Sequence, residues 1–494
     1  MSGWETVIGL EVHCELKTRT KLFCSCTNAF GDEPNTNVCP VCLGLPGSLP
    51  VINRAAVEYA MRIGVALSCS VEPSIFHRKN YFYPDMPKDY QISQYDQPIN
   101  VDGWLELPDG KRVGIVRAHM EEDTGKTTHV GGGASRRSSA LDNMGSTAPA
   151  GRTRIHGAEF SLVDYNRAGV PLVEIVSAPD MRSADEAKAY VNELRSILVA
   201  ADVSDGKMEE GSLRVDANVS VRQAGAEQFG TRCEIKNLNS LRSLGRAIEY
   251  EARRQVQLLE SGDVVVQETR HWNEDEGRTH AMRSKEEADD YRYFPEPDLV
   301  PVAPDASWLA SVESSLPVLP AQRRSALASA AGVAASDVAL LVELDLDDLV
   351  GSAIAAGADP KRAINRAANE VAADLEGARR LSVESFTALV KLEADGKLTA
   401  TQAKQVLAAM LTGEGDDPAA LAAAKGFEAM SSDALAAAVD EVIAANPDAW
   451  AKFVEGDPKV AGLFVGQVMK RTSGKADGRL VTELLRARAA SAEA

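Results

Sequence analysis

Val7-Ile8-Gly9-Leu10-Glu11-Val12-His13-Cys14-Glu15-Leu16 alternates with a period of two, the pattern of a β-strand. Ile8, Leu10, Val12, Cys14 and Leu16 share one face, and Glu11, His13 and Glu15 share the other. An oily strand thus presents an imidazole between two carboxylates, spaced by about 7 Å along the face. Such a trio suits a divalent cation or proton transfer, and it equally suits a plain half-buried strand with a wet side. The rest of the chain decides between the two.

A second alternating run, Leu213–Arg222, puts Leu213, Val215, Ala217, Val219 and Val221 on one face and Arg214, Asp216 and Asn218 on the other. Between and after these strands lie helical patterns. Asn53 to Leu67 buries one side. Ser183-x-x-Glu186 opens a helix as a capping box, followed by the stripe Ala187, Tyr190, Val191, Leu194 and Leu198. Ser240 to about Glu260 reads as a long helix. Strands and helices mixed without regular βαβ spacing predict an α+β fold with a largely antiparallel sheet. Residues 131–157, rich in Gly, Ser, Ala and Arg, read as a mobile insertion.

Six prolines between Pro295 and Pro320 mark a boundary, after which Ala and Leu dominate with helical periodicity. The expected division is residues 1–295, a helical domain over 296–405, and a helical tail domain over 406–494. All seven Cys and all seven His precede residue 281, so thiol or imidazole chemistry belongs to the first part. The chain has 494 residues and a net charge of −19, which argues against nonspecific nucleic-acid binding by the whole chain. A local exception runs from Lys459 to Arg488, where seven Lys or Arg face two acids. No apolar run reaches membrane-spanning length and no signal-peptide pattern is present, so a cytoplasmic protein with no membrane partner is expected.

Cys24-Ser-Cys26 and Cys39-Pro-Val-Cys42 form two close pairs twelve residues apart, a spacing that can close a four-thiolate zinc site. A redox Cys-x-x-Cys would not need Cys24 and Cys26. Cys14, Cys69 and Cys233 read as small buried hydrophobes. Several acids interrupt apolar runs. Glu174 lies in Val170-Pro-Leu-Val-Glu174-Ile-Val176, where an uncompensated carboxylate is costly. His119-Met-Glu121-Glu122-Asp123 is a dense acidic run, and Asp216 and Glu234 sit beside Arg214, Arg232 and Lys236. Singly each is an ordinary salt bridge or wet face. Together, Glu11, His13, Glu122, Glu174, Asp216 and Glu234 form an oxygen-rich set suited to Mg²⁺ with nucleotide phosphates. In the segment from His77 to Gln91, Lys79 and Lys88 can hold an anion, and Tyr81, Phe82 and Tyr83 can wall a pocket. No phosphate-binding loop, dinucleotide fingerprint or nucleophile elbow appears.

These segments are similar to the B subunits of bacterial tRNA-dependent amidotransferases, which act on glutamyl-tRNA(Gln) and aspartyl-tRNA(Asn). The resemblance rests on V-I-G-L-E-V-H-C-E-L (7–16), R-K-N-Y-F-Y-P-D-M-P-K-D-Y-Q-I-S-Q-Y-D-Q-P-I (78–99), H-M-E-E-D-T-G-K (119–126), S-L-V-D-Y-N-R-A-G-V-P-L-V-E-I-V (161–176), K-M-E-E-G-S-L-R-V-D-A-N-V-S (207–220), D-D-Y-R-Y-F-P-E-P-D-L (289–299) and G-L-F-V-G-Q-V-M-K (462–470). It implies an antiparallel cradle like that of glutamine synthetase and guanido kinases, followed by all-α helical and tail domains.

It further implies ATP- and Mg²⁺-dependent phosphorylation of a tRNA-esterified Glu or Asp, then amidation by ammonia. That ammonia is derived from glutamine in a separate A subunit, and a small C subunit ties the two together. On this resemblance Glu11, His13, Glu122, Glu174, Asp216 and Glu234 handle metal and phosphate, Lys79 and Lys88, with Tyr81 beside them, line the ammonia passage, and Cys24, Cys26, Cys39 and Cys42 bind structural zinc. The tail, with Lys470, Arg471 and Lys475, engages tRNA. Two other readings stay open: a metal-dependent phosphohydrolase or small-molecule ligase that ignores tRNA, and a noncatalytic zinc-bearing RNA-binding module.

Overall fold

The structure, a computed structural model, describes residues 3–130, 160–284, 291–427, 432–454, 460–472, 476 and 478–492. The expected insertion at 131–157 and Lys475 lie outside the described residues. The chain divides into two compact units, Met1–Pro320 and Ala321–Ala494.

The opening strand, Trp4–Glu15, sits in the middle of a twelve-stranded sheet. Leu213–Gln223 pairs along one of its edges and Pro171–Ser177 along the other, both antiparallel. Outward on the first side come Cys233–Leu238, Glu268–Asn273 and Arg278–Ser284. Outward on the second come Arg112–Glu122, Tyr90–Ser93, His77–Asn80 and Phe294–Pro295. Only the Cys233–Leu238 and Glu268–Asn273 pairing is parallel among the described strands, so the expected antiparallel α+β architecture is what forms.

Alternation does the sorting. Ile8, Leu10, Val12, Cys14 and Leu16 are all at most 1% exposed and enter one apolar core. Val215, Ala217 and Val219 of the neighbouring strand join them. Helices Arg54–Ala66, Ala184–Ala200 and Leu241–Glu260 supply the other side of that core through residues such as Met61, Leu194 and Ile248. The polar face of the sheet is left uncovered by these helices, and the candidate site lies there.

Each of these three helices starts where a side-chain oxygen accepts an orphan backbone N–H. Asn53 accepts from Ala55, Ser183 from Glu186 and Ser240 from Ser243. The expected capping box at Ser183 closes only halfway. The Glu186 carboxylate accepts instead from the Arg182 backbone N–H at 2.8 Å and from Lys111 at 2.5 Å.

The apolar cores place the domain edges later than the sequence suggested. Val312, on the Ala306–Ser315 helix, belongs to the first core, so that unit runs past residue 295. In the second unit one core extends from Leu327 to Ala422, past residue 405, because the Pro418–Ala424 helix contributes to it. Another core runs from Leu435 to Leu485. Among the described residues no single helix is long and apolar enough to cross a membrane.

Candidate functional site

Strand register brings four side chains into one row across four adjacent strands. His119 faces Glu174, Glu174 faces His13, and His13 faces Arg214. Partners in register project to the same side of a sheet. Glu121, two residues beyond His119, projects to that side as well. His13 Nε2 lies 3.6 Å from Glu174 Oε2 and 3.9 Å from Glu121 Oε1. His119 Nε2 lies 3.5 Å from Glu174 and 3.9 Å from Glu121. Ligand atoms of His13, Glu121 and Glu174 all fall within 4.8 Å of one another, close enough to share one ion.

The electrostatics suit a cation. Burial pushes the His119 imidazole down to about 4, which leaves it neutral near pH 7 and able to donate a lone pair. Its buried Nδ1 has no hydrogen-bond partner among the described residues. Burial works against the charge of Glu174, but His119, His13 and Lys79 outweigh it and hold the acid at about 2. Burial and the nearby Glu174 raise Glu121. A divalent ion there would relieve the crowding of carboxylates that this shift reports.

A second group sits beside the first on the same face. Glu11 is in register with Asp216, and Asn218 donates to the Glu11 carboxylate at 2.9 Å. Lys236 reaches Asp216 at 2.6 Å and Glu234 at 3.2 Å, and Thr269 donates to Glu234 at 2.9 Å. Burial opposes the charge on Lys236, yet Asp216, Glu234 and Glu11 carry its pKa above the usual lysine range. A cavity of about 1110 Å³ is lined by His13 and Glu121 of the first group, by Asp216 and Lys236 of the second, and by Lys79 and Arg214 among others, while Glu11 and Asn218 line a separate cavity of about 460 Å³. Lys79 carries its ammonium 4.7 Å from the Tyr291 ring, and Tyr81 lines the same space.

Of the six acids and imidazoles expected from sequence, five share this face. Glu122 does not. Strand parity turns it to the opposite side of the sheet, where it forms a buried ion pair with Lys88 and accepts from Ile92 N at 2.9 Å. Glu121 takes the place assigned to it. Lys88 is likewise separated from Lys79. It lines a cavity of about 50 Å³ with Glu122, Phe23, Cys42 and Gly44, whereas Lys79 faces the large cavity.

Glu15 shares the strand face of Glu11 and His13. It lines the large cavity, and burial together with Asp123 pushes it up to about 8. Arg214 and Arg167 hold Asp123 below the usual range despite its burial. His119, Glu121, Lys236 and Asn218 were missed as site residues. The parity of Met120, which is fully buried, would have separated Glu121 from Glu122.

The four sulfurs of Cys24, Cys26, Cys39 and Cys42 lie within 4.8 Å of one another. The Cys39 and Cys42 sulfurs are 3.9 Å apart, near the edge of a tetrahedron with metal–sulfur bonds of about 2.3 Å. The Cys39 backbone N–H donates to Cys42 Sγ at 3.1 Å, as expected for a turn presenting a thiolate. A hydrogen bond from Cys24 is the main cause that brings Cys42 down to about 5. The cluster is compatible with structural zinc. Cys14 and Cys233 are buried, as expected, and Cys69 is half-buried.

Two family matches cover most of the chain. Residues 6–310 match the GatB/GatE catalytic domain, and residues 348–488 match the GatB domain. The chain belongs to the GatB family. Its relatives include proteins named as the B subunit of aspartyl/glutamyl-tRNA(Asn/Gln) amidotransferase. That of Salinispora tropica is 51% identical over 98% of this chain and 96% of its own length. That of Thermobifida fusca is 48% identical over 98% and 94%. That of Solidesulfovibrio magneticus is 48% identical over 98% and 99%. In family terms, the catalytic-domain match spans every sheet strand that carries the site.

In the second unit Lys470 and Arg471 end the Ala461–Arg471 helix, and the exposed Arg471 pairs with Glu441.

Proposed function

We propose that this chain is the ATP-using subunit of a tRNA-dependent amidotransferase. It phosphorylates the side-chain carboxylate of Glu or Asp carried by tRNA(Gln) or tRNA(Asn), and ammonia then displaces the phosphate to leave the amide. The observation that carries this reading is the His13, Glu121 and Glu174 cluster, two of whose members, His13 and Glu121, line a large cavity, within a chain of the GatB family.

A carboxylate resists attack by ammonia, and an acyl phosphate accepts it. In the first step a carboxylate oxygen of the substrate takes the terminal phosphoryl group of ATP and ADP leaves. In the second, the ammonia nitrogen bonds to the acyl carbon, phosphate departs with its bridging oxygen, and the nitrogen gives up a proton. His13, Glu121 and Glu174 would hold Mg²⁺, which when bound neutralises phosphate oxygens. Lys79 faces that cluster and offers a cation to the incoming carboxylate. Lys236 offers another on the far side of Glu11 and is held in place by Asp216 and Glu234. Lys88 and Glu122, behind the sheet, lie on the path of ammonia from a glutaminase subunit, with a small third subunit completing the assembly. The Cys cluster would hold structural zinc. Lys470, Arg471 and Lys475 would meet tRNA phosphates, and the setting is cytoplasmic.

The test uses the assembled complex with misacylated tRNA, ATP, Mg²⁺ and ammonium chloride in place of glutamine. Amidated tRNA and one ADP per amide are expected. No amide from ammonium, or ADP release that ignores tRNA, would remove this reading; the second outcome favours a small-molecule ligase.

A further inference from the structure

Arg214 stands beside the His13, Glu121 and Glu174 cluster. Its neighbours Leu213 and Val215 are 1% and 2% exposed and enter the core, so strand parity turns Arg214 to the polar face. There it is in register with His13. The strands Leu213–Gln223, Trp4–Glu15, Pro171–Ser177 and Arg112–Glu122 carry Arg214, His13, Glu174 and Glu121 in turn, and His77–Asn80, with Lys79, lies two strands beyond. Arg214 and Lys79 therefore flank the cluster from opposite sides.

The guanidinium is anchored from behind. Nη2 donates to the Asp123 carboxylate, which is 4% exposed, and lies 4.0 Å from Glu15. Asp123 is itself fixed: it accepts from Thr124 N at 2.8 Å and stands 3.6 Å from Arg167 Nε. Arg167 in turn donates to the Thr124 and Gly125 carbonyls at 2.9 Å each. Among the described residues the bond to Asp123 is the only hydrogen bond the Arg214 guanidinium makes, and its Nε is buried with no partner. An arginine carries several N–H donors in one plane. The side chain is 34% exposed and lines the large cavity, so with Nε covered its exposure lies at the terminal nitrogens and the alkyl stem. Burial works against its charge, and Asp123, Glu15 and Glu121 outweigh it, which puts the charge within reach of the cluster as well.

We propose that Arg214 is a catalytic residue of the phosphorylation step: its guanidinium takes oxygens of the phosphoryl group in transfer, and Asp123 is the positioning residue that aims it. This rests on the reading of the chain as an ATP-using subunit. In that step a carboxylate oxygen of the substrate bonds to the terminal phosphorus of ATP, the bond from that phosphorus to the bridging oxygen breaks, and its electron pair leaves on ADP; no proton moves. Negative charge spreads over the peripheral oxygens of the group in flight. Lys79 meets the incoming carboxylate on one flank of the cluster, so the nucleotide's phosphates approach from the other, where Arg214 and Lys236 stand. A planar fork can hold two oxygens of one phosphoryl group, which an ammonium cannot. Asp123 fixes the fork before the phosphate arrives, so no reorganisation is needed at the moment of transfer.

The test uses the assembled complex carrying Arg214→Lys or Arg214→Gln, with misacylated tRNA, ATP, Mg²⁺ and ammonium chloride. Lysine keeps a cation on Asp123, and so keeps a purely structural pair, but loses the fork. Arg214→Lys is expected to lower kcat for ADP release about a hundredfold, with the KM for misacylated tRNA and the melting temperature close to those of the unaltered complex. Arg214→Gln should lose more. A second readout needs no turnover: ADP with aluminium fluoride, which mimics the phosphoryl group in transfer, should bind Arg214→Lys about a hundredfold less tightly, while ADP alone binds as before. A kcat within about threefold of the unaltered complex, a rise in KM alone, or equal weakening of ADP and of ADP with aluminium fluoride overturns the proposal. So does an activity loss in Arg214→Lys that follows a fall in melting temperature, which would make the arginine a structural partner of Asp123. Absence of ADP release driven by misacylated tRNA in the unaltered complex would instead remove the proposed function on which it stands.

Discussion

Replacing Glu174 with Gln should cost the site its metal while the fold persists. Glu174 Oε2 stands 3.6 Å from His13 Nε2 and 3.5 Å from His119 Nε2, with Glu121 beside both imidazoles. The exchange keeps the side chain's shape and removes one negative charge within about 4 Å of any ion held there. At an effective dielectric constant near 20, a unit charge pair at that distance is worth about 4 kcal/mol, close to a thousandfold in affinity. A divalent ion doubles the Coulomb attraction, and relief of the carboxylate's desolvation offsets part of that gain, so a thousandfold is the working figure.

The informative control is Glu122→Gln, which sits next to Glu121 in sequence and on the other side of the sheet. It leaves the Lys88 ammonium buried without its partner, which should cost about 3–5 kcal/mol of stability, and it should move the metal requirement little. The assay is ADP release driven by misacylated tRNA, titrated with Mg²⁺ at saturating ATP, beside thermal unfolding of both variants. Glu174→Gln should raise the Mg²⁺ midpoint steeply with little change in melting temperature. Glu122→Gln should do the reverse. Equal shifts of the midpoint in the two variants would refute the assignment of the two faces.

Three further outcomes are expected. Lys236→Met should depress phosphorylation with tRNA affinity unchanged, and Lys236→Arg should recover part of it, because Asp216 and Glu234 can still hold a cation there; a fully active Lys236→Met would exclude a role for this group. Ending the chain at Phe427 removes the core from Leu435 to Leu485 and keeps the one that ends at Ala422, so tRNA affinity should fall and lose part of its salt dependence, as filter binding across a salt series would show, while ammonium-dependent turnover at saturating tRNA persists. Arg366→Met breaks a buried pair in which Glu393 accepts two bonds at 2.9 Å; a loss of about 3–5 kcal/mol should appear in calorimetry as a lower transition for the second unit only, and an unchanged scan would discount the pair.

Much of this could be read from the chain, and the misplaced site residues share one cause. The Trp4–Glu15 and Leu213–Gln223 strands are buried on one face and open to a cavity on the other, so their alternation separates core from site cleanly. The stretch from His119 to Asp123 is different. Its exposures run 4%, 0%, 4%, 2% and 3%, so both faces are covered and polarity no longer distinguishes them. Glu121 and Glu122 are chemically identical there, and only the side on which Met120 packs tells them apart. Lys88 was misplaced for a related reason. It is nine residues from Lys79, but the turn between the His77–Asn80 and Tyr90–Ser93 strands lies in between, and sequence distance says nothing about which side of a sheet a turn delivers a side chain to.

The first compact unit ends at Pro320, the last proline of the cluster, and not at residue 295. Proline clusters report where helices and strands cannot continue, whereas a domain edge is set by which apolar residues share a core. Val312 lies beyond several of those prolines and still packs with the sheet's helices. Local pattern therefore found the two central strands and the three helices behind them, and register, which depends on strands far apart in sequence, decided which of the site's acids meet.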